Sequence, residues 1–134
     1  MYKLRKIFWE GEKIESELIL SKKPISFLGD VKSGYVVADD SDVVGAKISG
    51  RIFAFPEGRG STVGTYVMLQ LSKEGLAPIA IVNRRTESII AAGAVISGIA
   101  LFDSPSPDLF ELEPGIYRAE IEDRGEFAVM RVKK

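Results

Sequence analysis

The segment Pro56-Glu57-Gly58-Arg59-Gly60-Ser61-Thr62-Val63-Gly64-Thr65 sets a hydroxyl and a guanidinium among closely spaced glycines. It follows a strand-like run over residues 48–55 and precedes a helix-like run over residues 62–73. A glycine-rich turn in that position leaves backbone N–H groups free and directs the positive end of the helix dipole at the turn. Ser61 stands where a helix cap or a reactive hydroxyl would stand, and it is the candidate catalytic residue. Arg59, Gly60 and Thr62 surround it as candidate substrate-binding positions, the guanidinium suited to a carboxylate or a phosphate.

A serine hydroxyl is a negligible base at neutral pH, so an alkoxide here needs local stabilisation. The helix N-terminus, the neighbouring N–H groups and Arg59 are the available sources. None of them accepts the serine proton, and the chain contains no histidine to do so. Catalysis by this chain alone is incomplete.

Other readings of the turn compete. A Walker phosphate loop fails, because only three residues separate Gly60 from Gly64 and no lysine follows. A dinucleotide fingerprint would have to be stretched by one residue, although Arg84 and Arg85 after the next strand could meet a 2′-phosphate. A purely structural turn, with Ser61 capping a helix for about 1 kcal/mol, stays open. Against it, a cap alone does not require Gly58, Arg59 and Gly60 in a row, which costs backbone entropy.

Composition narrows the chemistry. With no cysteine and no histidine among 134 residues, the chain offers no thiolate or imidazole ligand, no disulfide and no His-based triad. A net charge of −1 gives no general attraction to nucleic acid or to anionic lipid. The acids of residues 39–42 miss the calcium-loop template, since position twelve from Asp39 is Gly50, and read as a solvated turn. No apolar run approaches the roughly 20 residues of a membrane helix. The first ten residues are too charged for a signal peptide, so a cytoplasmic protein is expected.

Around the turn, strand runs at residues 48–55, 78–83 and 99–103 alternate with helical runs at 62–73 and 86–97. This predicts a central βαβαβ unit with right-handed crossovers and a parallel sheet. Residues 2–9 and 14–20 read as an opening hairpin, and 116–122 with 127–132 as a closing one. Residues 104–108, Ser-Pro-Ser-Pro-Asp, read as a connector. The expectation is one α/β domain over residues 1–134, in three layers, with flanking β hairpins packed beside the central unit.

The run Pro24-Ile25-Ser26-Phe27-Leu28-Gly29, followed by Gly50-Arg51-Ile52-Phe53-Ala54-Phe55-Pro56 and the Gly58 to Thr62 turn, resembles the small subunit of the aconitase X family. Ala77-Pro78-Ile79-Ala80-Ile81-Val82 and Glu87-Ser88-Ile89-Ile90-Ala91-Ala92-Gly93-Ala94 carry the same resemblance. It implies a swivelling β/β/α domain equivalent to the mobile domain of aconitase-like hydro-lyases. It also implies a heterodimer with a large subunit that holds an iron–sulfur cluster, none being bound by this chain. The archaeal members implied are phosphomevalonate dehydratases, acting on a small phosphorylated hydroxy acid in a mevalonate route to isoprenoids. The family's serine proton acceptor maps onto Ser61. Thr62 and Thr65 stand where many relatives carry serines, and Asp-Ser-Asp stands where a histidine is frequent before Gly45. A hydroxyproline dehydratase subunit and a non-enzymatic anion- or partner-binding module are the alternatives.

Overall fold

A computed structural model describes residues 1–60 and 62–134. In chain order the elements are β1 (Tyr2–Phe8), β2 (Lys13–Leu20), a single helical turn α1 (Phe27–Asp30), β3 (Val31–Lys32), β4 (Tyr35–Val36) and β5 (Ile52–Ala54). They continue with α2 (Val63–Lys73), β6 (Ala80–Val82), α3 (Ser88–Ser97), β7 (Ala100–Ser106), a 3-10 turn (Leu109–Glu111), β8 (Gly115–Asp123) and β9 (Phe127–Lys133). The β5-α2-β6-α3-β7 series is the expected crossover unit. Its strands run parallel, with Phe53 opposite Ile81 and Ile81 opposite Leu101.

Side-chain alternation along these strands divides the core in two. Ile52 and Ala54, Ala80 and Val82, and Phe102 face one apolar cluster together with Leu4, Leu18, Ile121 and Met130. The residues between them, Phe53, Ile81 and Leu101, face a second cluster with Met68 and Leu71 of α2 and Ile90 and Ala94 of α3. A period of two sends successive side chains to opposite faces. Burial on both faces explains why β5 and β6 are wholly apolar. One cluster fills the interior between strands and the other joins strands to helices, a mixed α/β architecture in accord with the expected class.

The opening hairpin does not form. β1 pairs antiparallel with β7 and with β9, through Arg5 opposite Asp103 and Leu4 opposite Ala128. β2 pairs antiparallel with β8 and parallel with β5, through Ser16 opposite Ala119 and Ile19 opposite Phe53. The strands therefore close into one barrel in the order β1-β7-β6-β5-β2-β8-β9. Closure gives every one of these strands two paired edges, which an isolated hairpin sheet cannot. The closing hairpin is present, with Ile121 opposite Met130.

The connector at residues 104–108 is also partly strand. β7 continues to Ser106, which pairs with Lys3, while two residues along β1 Arg5 pairs with Asp103. The extra residue on β7 is taken up by a bulge, with Ser104 at φ 55°. Such an irregularity is where a strand can carry a proline, here Pro105. Among the described residues, no helix is long and apolar enough to cross a membrane.

Candidate functional site

β5 ends at Ala54, and the chain then crosses the C-terminal edge of the parallel strands. The carbonyl of Pro56 accepts from the N–H of Arg84 at 2.9 Å and of Arg85 at 3.3 Å. On the other side, Ile25 N–H donates to Glu57 O at 3.1 Å, and Arg59 N–H donates to Ile25 O at 2.9 Å. The turn is thus held from both flanks, by the segment after β6 and by the segment before α1.

Both glycines in it have a steric reason. A Cβ on Gly58 would lie 2.4 Å from Ile90 Cγ1 and 2.5 Å from Glu87 Oε1, so only glycine allows the turn to lie on the first turn of α3. Gly60 has φ 108°, a conformation that L side chains rarely adopt, and a Cβ there would lie 2.9 Å from Ser26 Oγ. The Gly58→Ala variant is expected to lose about 1–3 kcal/mol of stability through overpacking against the buried Ile90. Urea unfolding checks this, and an unchanged midpoint would contradict the packing described.

Arg59 is positioned through a residue not singled out from the sequence. Its Nη2 lies 3.4 Å from Asp30 Oδ2 and 3.5 Å from Oδ1, long for hydrogen bonds. Asp30 is buried and also accepts from the N–H of Ser26 at 2.8 Å. Ser26 in turn caps α1, its Oγ accepting from Gly29 N–H. The Arg59 side chain is still 56% exposed, so Asp30 aims the guanidinium without sequestering it. An exposed pair of this kind adds little stability. The 29-residue separation of Arg59 and Asp30 hides the contact from any local sequence signal.

Thr62 is exposed and helical in conformation, and its side chain makes no cap on α2. Ser61 lies outside the described residues. Thr65 Oγ1 donates to Ile89 O at 3.3 Å, tying α2 to α3. The start of α3 is sealed differently, since the Glu87 carboxylate accepts from Ile89 N–H at 2.9 Å and Ile90 N–H at 2.7 Å. Of the predicted positions, Arg59 borders a small cleft of about 120 Å³ with Lys23, Asp30 and Ser41, whereas Gly60 and Thr62 do not line it.

The acids of residues 39–42 behave as a tied turn. Asp42 Oδ2 accepts from Lys22 N–H at 2.9 Å, and the Asp40 carbonyl accepts from Lys23 Nζ. Among the described residues, no three carboxylates gather closely enough to hold a metal ion. Together with the lack of cysteine and histidine, this means the residues present do not fit an iron–sulfur cluster.

On the opposite flank, the fully buried Asp103 anchors the segment after β6. It accepts from Arg5 Nε and Nη2, both at 2.8 Å, from Thr86 N–H at 3.0 Å and from Ser104 Oγ at 3.0 Å. Burial pushes the Asp103 pKa up, but the Arg5, Thr86 and Ser104 hydrogen bonds outweigh it and hold the carboxyl below its usual value. The same hydrogen bond to Asp103 raises the Arg5 pKa.

Residues 2–129 match the family model described as the aconitase X swivel domain. A phosphomevalonate dehydratase small subunit of Thermococcus gammatolerans is 47% identical over 90% of this chain and 92% of its own length. The small subunit of the same name from Methanosarcina acetivorans is 53% identical, over 66% of this chain and 63% of that protein. The crystal structure of Thermococcus kodakaraensis aconitase X in its holo form superposes with a TM-score of 0.83 at 40% identity, covering 97% of both chains. The barrel, the crossover helices and the glycine turn are accordingly those of a swivel domain, and the chain belongs to the aconitase X family.

Proposed function

We propose that the chain is the small subunit of a two-chain hydro-lyase, and that the assembled enzyme is a phosphomevalonate dehydratase. It would convert (R)-5-phosphomevalonate to trans-anhydromevalonate 5-phosphate in an archaeal-type mevalonate pathway, in the cytoplasm. The observation that carries this reading is the set of relatives bearing that name, among them one 47% identical across nine-tenths of the chain.

The reaction removes a proton beside a carboxylate and expels the neighbouring hydroxyl. The C–H electron pair becomes the new double bond, and proton and hydroxyl leave together as water. Ser61 is assigned the proton. Its oxygen would be favoured as an anion by the start of α2 and by the Arg59 guanidinium. Arg59 is assigned to a substrate anion, aimed by Asp30 and left largely exposed. Gly60 lends its backbone, and Thr62 a hydroxyl at the rim. The chain has no cysteine or histidine to hold the iron–sulfur cluster expected in such an enzyme, so that group is assigned to the large subunit.

The test is reconstitution. Purified chain and a candidate large subunit are mixed with (R)-5-phosphomevalonate, and loss of water is followed by mass spectrometry. Turnover is expected from the mixture and from neither chain alone. A stable complex that leaves phosphomevalonate intact would overturn the assignment, and turnover of hydroxyproline instead would redirect it.

A further inference from the structure

The C-terminal ends of β5, β6 and β7 enclose a second, wider cleft, of about 500 Å³, lined by Pro56, Glu57, Arg84, Arg85, Ser104 and Pro105. Ends of parallel strands are where open α/β sheets hold ligands, and the volume lies within the range of small-molecule sites. Its lining residues include two arginines and one acid, Glu57.

The two arginines differ. Arg84 Nη2 lies 3.2 Å from Asp108 Oδ2, and its guanidinium sits 5.3 Å over the Phe110 ring, so its charge is partnered and its plane is held. Arg85 is exposed and makes no ion pair or side-chain hydrogen bond among the described residues. Its backbone is nevertheless immobilised. Arg84 N–H and Arg85 N–H both donate to Pro56 O, Ser104 N–H donates to Arg84 O at 3.1 Å, and Thr86 N–H donates to buried Asp103. Ser104 does this from a left-handed backbone, φ 55°, a strained conformation that the surrounding hydrogen bonds maintain.

A guanidinium without a partner among the described residues, on a hydrogen-bonded backbone and lining a cleft that shares Pro56 with the glycine turn, is suited to a doubly charged phosphomonoester. The helix dipole of α3 does not serve that purpose, because Glu87 already occupies its N-terminus. We infer that Arg85, with Arg84 as its fixed neighbour, binds the phosphate of the phosphorylated hydroxy acid, leaving Arg59 for the carboxylate; this rests on the function proposed above.

Two measurements test it. In the first, the isolated full chain is titrated with inorganic phosphate and followed by amide NMR shifts. Saturable shifts are expected at Glu57, Arg85 and Ser104, with affinity lowered at least about tenfold in Arg85→Ala and little changed in Arg59→Ala. Shifts centred on Arg59, or unsaturable shifts spread over all basic residues, would overturn the inference. In the second, the assembled enzyme carrying Arg85→Ala should show a KM for phosphomevalonate raised about 30-fold, with kcat within about threefold, and partial rescue by Arg85→Lys. An unchanged KM, or a loss confined to kcat, would overturn it. If the wild-type complex turns over no phosphomevalonate, the proposed function fails, while the phosphate titration still decides whether Arg85 forms an anion site.

Discussion

Ser61→Ala in the assembled two-chain enzyme is expected to lower kcat about a thousandfold while KM for phosphomevalonate stays within a few-fold of wild type. A positioned base contributes on the order of 10²–10⁴ to a proton-transfer step. The substrate's charged ends are assigned to guanidinium groups elsewhere, so removing the hydroxyl should touch the transition state more than the ground state. The chain has no histidine to take over the proton, which makes compensation by a neighbour in this subunit poor. Steady-state kinetics on the reconstituted enzyme checks the result, with size-exclusion chromatography showing that the variant still joins the large subunit. Activity within tenfold of wild type would remove Ser61 from the proton transfer while leaving the subunit assignment standing.

Asp103→Ala is expected to cost about 2–4 kcal/mol of stability at neutral pH. The carboxylate is fully buried and satisfies Arg5, Thr86 and Ser104 together, so its loss opens a hydrogen-bond network joining β1, β7 and the segment after β6. Arg5 can return to water, its side chain being 63% exposed, which keeps the cost below that of stranding a buried ion. The sign of the pH dependence follows from the folded pKa lying below the unfolded one. Such a group contributes its stability above the ordinary carboxylate pKa of about 4 and loses it as pH falls through the folded value. Urea unfolding at pH 7 and near pH 3 should therefore show wild type losing more stability on acidification than Asp103→Ala. Parallel pH curves for the two would refute the role given to this carboxylate. Hydrogen exchange at the Arg84 and Arg85 amides should also accelerate in the variant, because Thr86 N–H loses its anchor.

Local patterns in this chain carried the crossover unit, the closing hairpin and the glycine turn. The continuous apolar runs that became β5 and β6 signalled strands covered on both faces, and spacing of apolar residues signalled α2 and α3. Gly58 and Gly60 signalled a backbone that side chains would obstruct, and the structure supplies the reasons in Ile90, Glu87 and Ser26. The partners of β1 and β2 were not legible, because alternation tells a strand which face to bury and not which neighbour to join. Proximity along the chain pointed to a hairpin, whereas closing the barrel leaves neither strand with a bare edge.

The same distinction governs the site. Residue type alone marked Ser61 and Arg59 as chemically able, while leaving open a structural turn in which Ser61 caps the helix. The aiming of Arg59 by Asp30, the stapling of Pro56 to Arg84 and Arg85, and the burial of Asp103 under Arg5 all join segments far apart in sequence. Arg5 and Asp103 are separated by 98 positions, and no short-range periodicity encodes such a pairing. It arises only when strand order brings β1 against β7, which is a property of the closed barrel.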